Sequence, residues 1–125
     1  MVNVICDTSF LIHLATNRIK NLSTIDTEIG SIRFVVPSSV IKELENLLNN
    51  KEKKDTVTIT LDYIKSFPII SLDGSFADAA LQSYIKKQGG IVATMDKELK
   101  SIIKKSGGSI ISISNNKIVL ESSKV

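Results

Sequence analysis

Residues 1–11 read MVNVICDTSFL, and this stretch changes from a strand pattern to a helix pattern at Asp7. The residues before Asp7 form a short, apolar, β-branched run, which predicts a buried strand over 1–6. Asp7-Thr8-Ser9 is rich in helix-capping residues, so we expect a helix from Phe10 to Thr16. The acid therefore directly follows a buried strand.

The same alternation of strand and helix continues along the chain. Further strands are predicted at 32–36, 69–72, 91–94 and 110–113, with 118–120 closing a hairpin. Helices are predicted at 22–29, from Ser38-Ser39 as caps to about 48, within 51–66, at 75–88 and at 96–105. Strands that alternate with helices predict an α/β protein, a three-layer α/β/α sandwich with a mostly parallel central sheet. The 125 residues fit a single domain, 1–125.

The composition limits which classes of protein the chain can belong to. Apolar residues make up 42% of the chain, enough for one core, and the formal charge of +3 is compatible with a nucleic-acid partner. A solvated lysine-rich surface explains that charge equally well. The single cysteine, Cys6, excludes an internal disulfide and a zinc cluster, and we expect it to be a small buried hydrophobe.

Targeting signals are not apparent in the sequence. No basic-then-apolar leader opens it, and no apolar run is long enough to span a bilayer. We therefore expect a cytoplasmic protein without a membrane partner.

Four acids follow predicted strands: Asp7, Glu43, Asp78 and Asp96. The first directly follows its strand, the last lies two residues beyond its own, and the other two lie within about a turn of the start of the next helix. In sheets of this kind, ligands bind outside the carboxyl ends of the strands. We therefore expect the four carboxylates to meet at one edge of the sheet.

Carboxylates drawn together repel one another, and their pKa values rise unless a positive charge lies among them. One or two Mg²⁺ or Mn²⁺ ions suit an all-carboxylate site that keeps several waters. Such ions can activate water and stabilise the charge that develops on a phosphodiester during cleavage. The acids therefore predict metal-dependent phosphodiester chemistry without a cysteine or histidine nucleophile.

Each acid also has a purely structural interpretation. Asp7 suits a helix cap, Asp96 suits a helix N-terminus, and Glu43 suits a solvated helix surface. Ser75-Phe76-Ala77-Asp78 matches a capping box, in which Asp78 would only stabilise its helix. We favour the joint site, because the structural interpretation requires four coincidences at one edge.

Four segments resemble the motifs of PIN domains, in the expected order and over nearly the whole chain. Asp7-Thr8-Ser9-Phe10-Leu11 resembles the first motif, and residues 36–44, VPSSVIKEL, resemble the second, with its metal-site glutamate. Residues 76–81, FADAAL, are similar to the third motif. Residues 93–99, ATMDKEL, resemble the fourth, in a form typical of the branch that includes small-subunit ribosomal-RNA processing nucleases.

The resemblance implies a PIN fold and a metal-dependent endoribonuclease that leaves a 5′-phosphate and a 3′-hydroxyl. It implies that Asp7, Asp78 and Asp96 hold the metal, with Glu43 binding a second ion or orienting water. It also implies supporting roles for two hydroxyls, those of Ser9 and Thr94, although either residue could be an ordinary helix cap.

A face of the predicted last helix is basic. Lys97, Lys100 and Lys104 follow helical spacing and begin beside Asp96, so we expect them to bind RNA phosphates, with a merely solvated surface as the alternative. Aromatic residues make up only 5% of the chain, so base stacking should not dominate RNA binding.

Two alternatives to an RNA-processing nuclease remain open at this point. One is a toxin ribonuclease of the VapC type, with the same chemistry and an antitoxin as its partner. The other is a scaffold that binds RNA or protein without cleavage. The partners expected are RNA, structured or single-stranded, a second copy of the chain, since PIN domains often pair, and an antitoxin or a ribosome-assembly protein.

Overall fold

The computed structural model describes residues 2–71 and 77–121, without the side chains of Ala77, Asp78 and Ala80. The predicted strand residue Leu72 and the predicted cap Ser75 lie outside the described residues.

Strands alternate with helices along the chain, as the sequence pattern predicts. The strands are β1 Val2–Cys6, β2 Ile32–Pro37, β3 Ile69–Ile70, β4 Ile91–Ala93, β5 Ser109–Ser114 and β6 Lys117–Glu121. The helices are α1 Thr8–Thr16, α2 Ile25–Ile29, α3 Ser38–Leu47, α4 Lys54–Tyr63, α5 Ala77–Gln88 and α6 Lys97–Lys105, with a 3₁₀ turn at Leu22–Thr24 before α2.

The start of α3 differs from the prediction. Pro37 is the N-cap residue, in an extended conformation (φ −62°, ψ 142°), and no side chain caps the helix. Ser38 and Ser39 already lie in the first turn, so their predicted capping role is wrong. Proline fixes φ near this value, which ends β2 and starts the helix one residue earlier than the serines alone suggest.

The threonine-rich segment before β3 is helical despite its strand-like composition. Within α4, the hydroxyl of Thr58 donates to the Lys54 carbonyl at 2.7 Å, and that of Thr60 donates to the Thr56 carbonyl at 2.8 Å. These bonds satisfy the hydroxyls inside the helix, and Thr60 is fully buried. The helical spacing of apolar residues therefore outweighs β propensity here.

Among the described residues, six strands form one sheet in the order β3-β2-β1-β4-β5-β6. The pairs β1–β2, β1–β4, β2–β3 and β4–β5 are parallel, and β5–β6 is an antiparallel hairpin. Asn115 and Asn116 turn that hairpin with φ of 53° and 59°, a left-handed conformation that asparagine tolerates well.

Both faces of the sheet are covered. In β1, Val4 and Cys6 point to the face that packs against α1 to α4, while Ile5 packs with α5 and α6 on the other face. A strand buried on both faces is apolar at every position, and this is the pattern of residues 4–6. The predicted three-layer α/β/α sandwich with a mostly parallel sheet is therefore confirmed.

Cys6 is fully buried, as expected for a small hydrophobe. Burial, together with the neighbouring Asp7 charge, raises the pKa of its thiol well above the ordinary value. No helix within the described ranges 2–71 and 77–121 has the length and apolar character needed to cross a bilayer.

Candidate active site

The strand order reverses between β1 and β4. The chain runs from β1 through β2 to β3 on one side of the sheet, and then places β4, β5 and β6 on the other. In open α/β sheets, ligands bind at such a reversal, outside the carboxyl ends of the strands. Asp7 directly follows β1, and Asp96 follows β4, so these two acids flank the reversal.

Asp7 is held by donors from three directions. Its Oδ1 accepts hydrogen bonds from the Ser9 hydroxyl at 2.8 Å and from the Phe10 N–H at 2.9 Å. Its Oδ2 accepts a hydrogen bond from the hydroxyl of Thr94. The carboxylate is therefore the N-cap of α1 and, at the same time, a fixed group facing the end of β4.

Thr94 joins the two acids. It is fully buried just beyond β4, and its Oγ1 donates to Asp7 while accepting the N–H of Asp96 at 3.0 Å. Ser9 adds a second link, because its Oγ accepts the Met95 N–H at 3.1 Å. The two hydroxyls thus tie the start of α1 to the segment between β4 and α6.

Asp96 is exposed and is the N-cap of α6. Its Oδ1 accepts the N–H groups of Glu98 at 2.9 Å and Leu99 at 3.4 Å. From the residues that the structure describes, Oδ2 accepts no hydrogen bond. One oxygen of Asp96 thus fixes the side chain, and the other remains available to a ligand.

The electrostatics of Asp7 favour a positive partner. Burial raises the pKa of its carboxyl above the ordinary value, the hydrogen bonds from Thr94, Phe10 and Ser9 act in the opposite direction, and the charge of Asp96 raises the pKa further. A cation beside both carboxylates would offset the cost of keeping Asp7 ionised.

Among the described residues, no hydrogen bond joins Glu43 to Asp7 or Asp96. Glu43 is exposed on α3, six residues after β2 ends. Asp78 lies in the first turn of α5, and its side chain is outside the described set. Roles for Glu43 and Asp78 at the metal site stay predictions.

Across the part of the chain that the structure describes, no three acids, histidines or cysteines form a cluster suited to a metal ion. Mg²⁺ does not require one, because it is commonly bound through one or two carboxylates and completes its shell with waters and substrate phosphates. The oxygens of Asp7 and Asp96 match that donor set in chemistry and number. The pair therefore fits a hard divalent cation.

The predicted RNA-binding lysines divide into two groups. Lys97 is exposed, but the Nζ atoms of Lys100 and Lys104 lie 3.3 and 2.9 Å from the carboxylate oxygens of Glu121 on β6. Hydrogen bonds from Lys104 and Ser112 lower the pKa of Glu121 to about 2, with further help from Lys100. Two of the three positive charges are therefore partly neutralised within the protein.

Glu121 had no signal in the sequence. It lies 17 residues after Lys104, beyond the reach of helical spacing, and only the hairpin brings it back to α6. Arg18 and Lys20 line a cavity beyond α1, and the sequence gives no signal for them, because two isolated cations in a connecting segment form no motif.

The fold and the site define an α/β protein with an acid pair at its topological reversal. A family model described as a PIN-like domain matches residues 4–116, and the chain belongs to this family. PIN domains are generally nucleases, and they generally use divalent metal ions.

Comparison with solved structures gives the same result, with seventeen chains matching significantly. One of them is the PIN domain endonuclease Utp24, at 26% sequence identity and a TM-score of 0.72, over 96% of this chain and 91% of that one. No curated protein sequence matches this chain significantly.

Proposed function

We propose that this protein is an Mg²⁺- or Mn²⁺-dependent endoribonuclease. The observation that carries the proposal is the Asp7–Thr94–Asp96 arrangement at the reversal between β1 and β4. Membership of a family of nucleases and likeness to an endonuclease support it.

The chain's own residues supply a preorganised anionic site. Ser9 and Thr94 hold both oxygens of Asp7, and the first turn of α6 holds one oxygen of Asp96, so neither carboxylate has to be ordered when a ligand arrives. When bound there, a divalent cation would lower the pKa of water and neutralise charge on the scissile phosphate. In the proposed hydrolysis, water adds to phosphorus and the bond to the 3′ oxygen breaks, leaving a 5′-phosphate and a 3′-hydroxyl.

We further propose that the RNA is a ribosomal-RNA precursor. The segment that carries Thr94 and Asp96 is the one that resembles the ribosomal-RNA processing branch, and the likeness to Utp24 supports the same assignment. Discrete cuts in a precursor ribosomal RNA, with little cutting of unrelated messenger RNA, are the expected result. Equal cutting of both RNAs would contradict this assignment and favour a toxin role.

Substitution of the acid pair tests the proposed activity. Asp7→Asn and Asp96→Asn should each abolish Mn²⁺-dependent cleavage of single-stranded RNA, because an amide oxygen binds a hard cation more weakly than a carboxylate does. Both variants should stay folded, since asparagine is as good an N-cap residue as aspartate. Cleavage is measured on end-labelled RNA with Mn²⁺ or EDTA, and folding by circular dichroism.

Glu98→Gln is the matched control. Glu98 is an exposed acid in the first turn of α6, two residues from Asp96, and within the described structure its carboxylate forms no ion pair. It should retain wild-type cleavage. Unchanged cleavage in Asp7→Asn and Asp96→Asn, or equal loss in Glu98→Gln, would overturn the proposed site.

A further inference from the structure

An open cavity of about 610 Å³ lies beyond the end of α1. It is lined by Arg18, Ile19, Lys20, Leu22, Ser23 and Asn116. We propose that this cavity binds the RNA strand some nucleotides away from the cleaved bond, and this inference rests on the proposed nuclease function.

The cavity lies near the carboxyl ends of the parallel strands, as the acid pair does. Asn116 belongs to the turn after β5, and β5 runs parallel to β1 and β4, so the turn follows a carboxyl end. The Lys20 N–H donates to the Asn116 carbonyl at 2.7 Å, which fixes the segment after α1 against this turn. An RNA strand held at Asp7 and Asp96 can therefore reach the cavity by continuing along the carboxyl ends of the strands.

The charge of the cavity suits phosphate. Arg18 and Lys20 are exposed, neither forms an ion pair within the described residues, and none of the lining residues is acidic. Lys100 and Lys104, by contrast, are engaged with Glu121. Lysine and arginine side chains without an acidic partner can neutralise phosphates, and this releases the counterions that are condensed on the nucleic acid.

The remaining lining suits a nucleotide better than a bare anion. Leu22 and Ile19 offer apolar surface against which a base or ribose can pack, and Leu22 is 38% exposed. Ser23 and the amide of Asn116 can form hydrogen bonds with sugar hydroxyls or base edges. Cations beside a small apolar surface and two uncharged hydrogen-bonding groups match the parts of a single-stranded nucleotide.

The length of α1 sets the spacing between the two places. Nine helical residues separate Asp7 from Asn17, and at 1.5 Å per residue the helix is about 14 Å long. At about 3.4 Å per phosphate along a stacked strand, this corresponds to roughly four nucleotides. A 12-mer is therefore long enough to contact both places at once.

The test compares Arg18→Gln/Lys20→Gln with Lys86→Gln/Lys87→Gln. The control lysines are also exposed. They lie in the last turn of α5, just before β4 begins, and therefore near the amino ends of the parallel strands, away from the acid pair and the cavity. Both pairs are made in an Asp96→Asn background with EDTA, so that RNA is bound and not cut. Fluorescence anisotropy with a single-stranded RNA 12-mer gives Kd at 50 and 200 mM salt.

A plot of the logarithm of the RNA association constant against the logarithm of salt concentration has a negative slope. Loss of two phosphate contacts in Arg18→Gln/Lys20→Gln should make this slope less steep by about 1.4. The affinity lost between 50 and 200 mM salt should then be about sevenfold smaller than in the control pair.

Equal slopes for the two variant pairs with the 12-mer would overturn the inference. Because binding is measured without cleavage, this outcome is distinct from failure of the proposed function. If the wild-type protein binds RNA through the cavity but does not cleave it, the proposed nuclease function would be overturned and the cavity inference would stand.

Discussion

Asp7 shows that a capping role and a site role do not compete. Its Oδ1 caps α1 through the Phe10 N–H, and its Oδ2 faces Thr94 across the gap between β1 and β4. A carboxylate has about four lone-pair positions, so one oxygen can serve the helix while the other serves the site. The sequence presents these roles as alternatives, because spacing alone does not show which oxygen is used.

Thr94 is the residue on which the geometry of the acid pair depends. Thr94→Val keeps the shape of the side chain but removes the hydroxyl, leaving Asp7 Oδ2 and the Asp96 N–H without their partner. We expect a loss of about 1–3 kcal/mol in the free energy of unfolding, as is typical when buried polar groups lose their hydrogen bonds. RNA cleavage should fall as well, because Asp7 and Asp96 are no longer held together.

Thr94→Ser separates the hydroxyl from the methyl group. It should recover most of the cleavage that Thr94→Val loses, while a small deficit in stability from the missing methyl remains. Urea denaturation and RNA cleavage are measured on both variants. Equal cleavage by the valine and serine variants would show that the hydroxyl has no positioning role.

At the scale of elements, Asp96 lies between β4 and α6, and ion pairs with β6 hold α6 in place. Glu121 receives Lys100 and Lys104 from α6 and the Ser112 hydroxyl from β5 at 2.8 Å. The helix, its neighbouring strand and the final strand are thus joined at one carboxylate. Periodicity predicts each of these elements, but it carries no information about an ion pair between a helix and a later strand.

The ion pairs of Glu121 should make stability depend on pH. Its pKa is lowered from 4.5 to about 2, so the stabilisation is fully present above pH 4.5 and is lost as the pH falls toward 2. Because Glu121 is about one third exposed, we expect a contribution of about 1 kcal/mol or less at pH 7.

Glu121→Gln should reduce stability at pH 7 and make it less sensitive to acid between pH 4.5 and 2.5. Urea denaturation at several pH values measures this, with the exposed acid variant Glu52→Gln as control. Identical pH profiles for the wild type and Glu121→Gln would contradict the role of this cluster.

At the scale of the whole molecule, the topology carries most of the functional information. Alternating patterns predict the parallel sheet, and the parallel sheet places Asp7 and Asp96 at its carboxyl edge. The sequence could not fix how far along α3 an acid can lie and still reach that edge, so a metal-site role for Glu43, six residues after β2, stays a prediction. The family resemblance implies a supporting role for Thr94, but the residue pattern alone could not show that its buried hydroxyl contacts both acids.

The most direct measurement is a crystal structure of the protein soaked in Mn²⁺, with anomalous data collected near the manganese absorption edge. We expect an anomalous peak about 2.0–2.3 Å from carboxylate oxygens of both Asp7 and Asp96, and the same map shows whether Asp78 or Glu43 completes the site. Manganese bound elsewhere, or no peak at the acid pair in a protein that cuts RNA in the same solution, would contradict the proposed site.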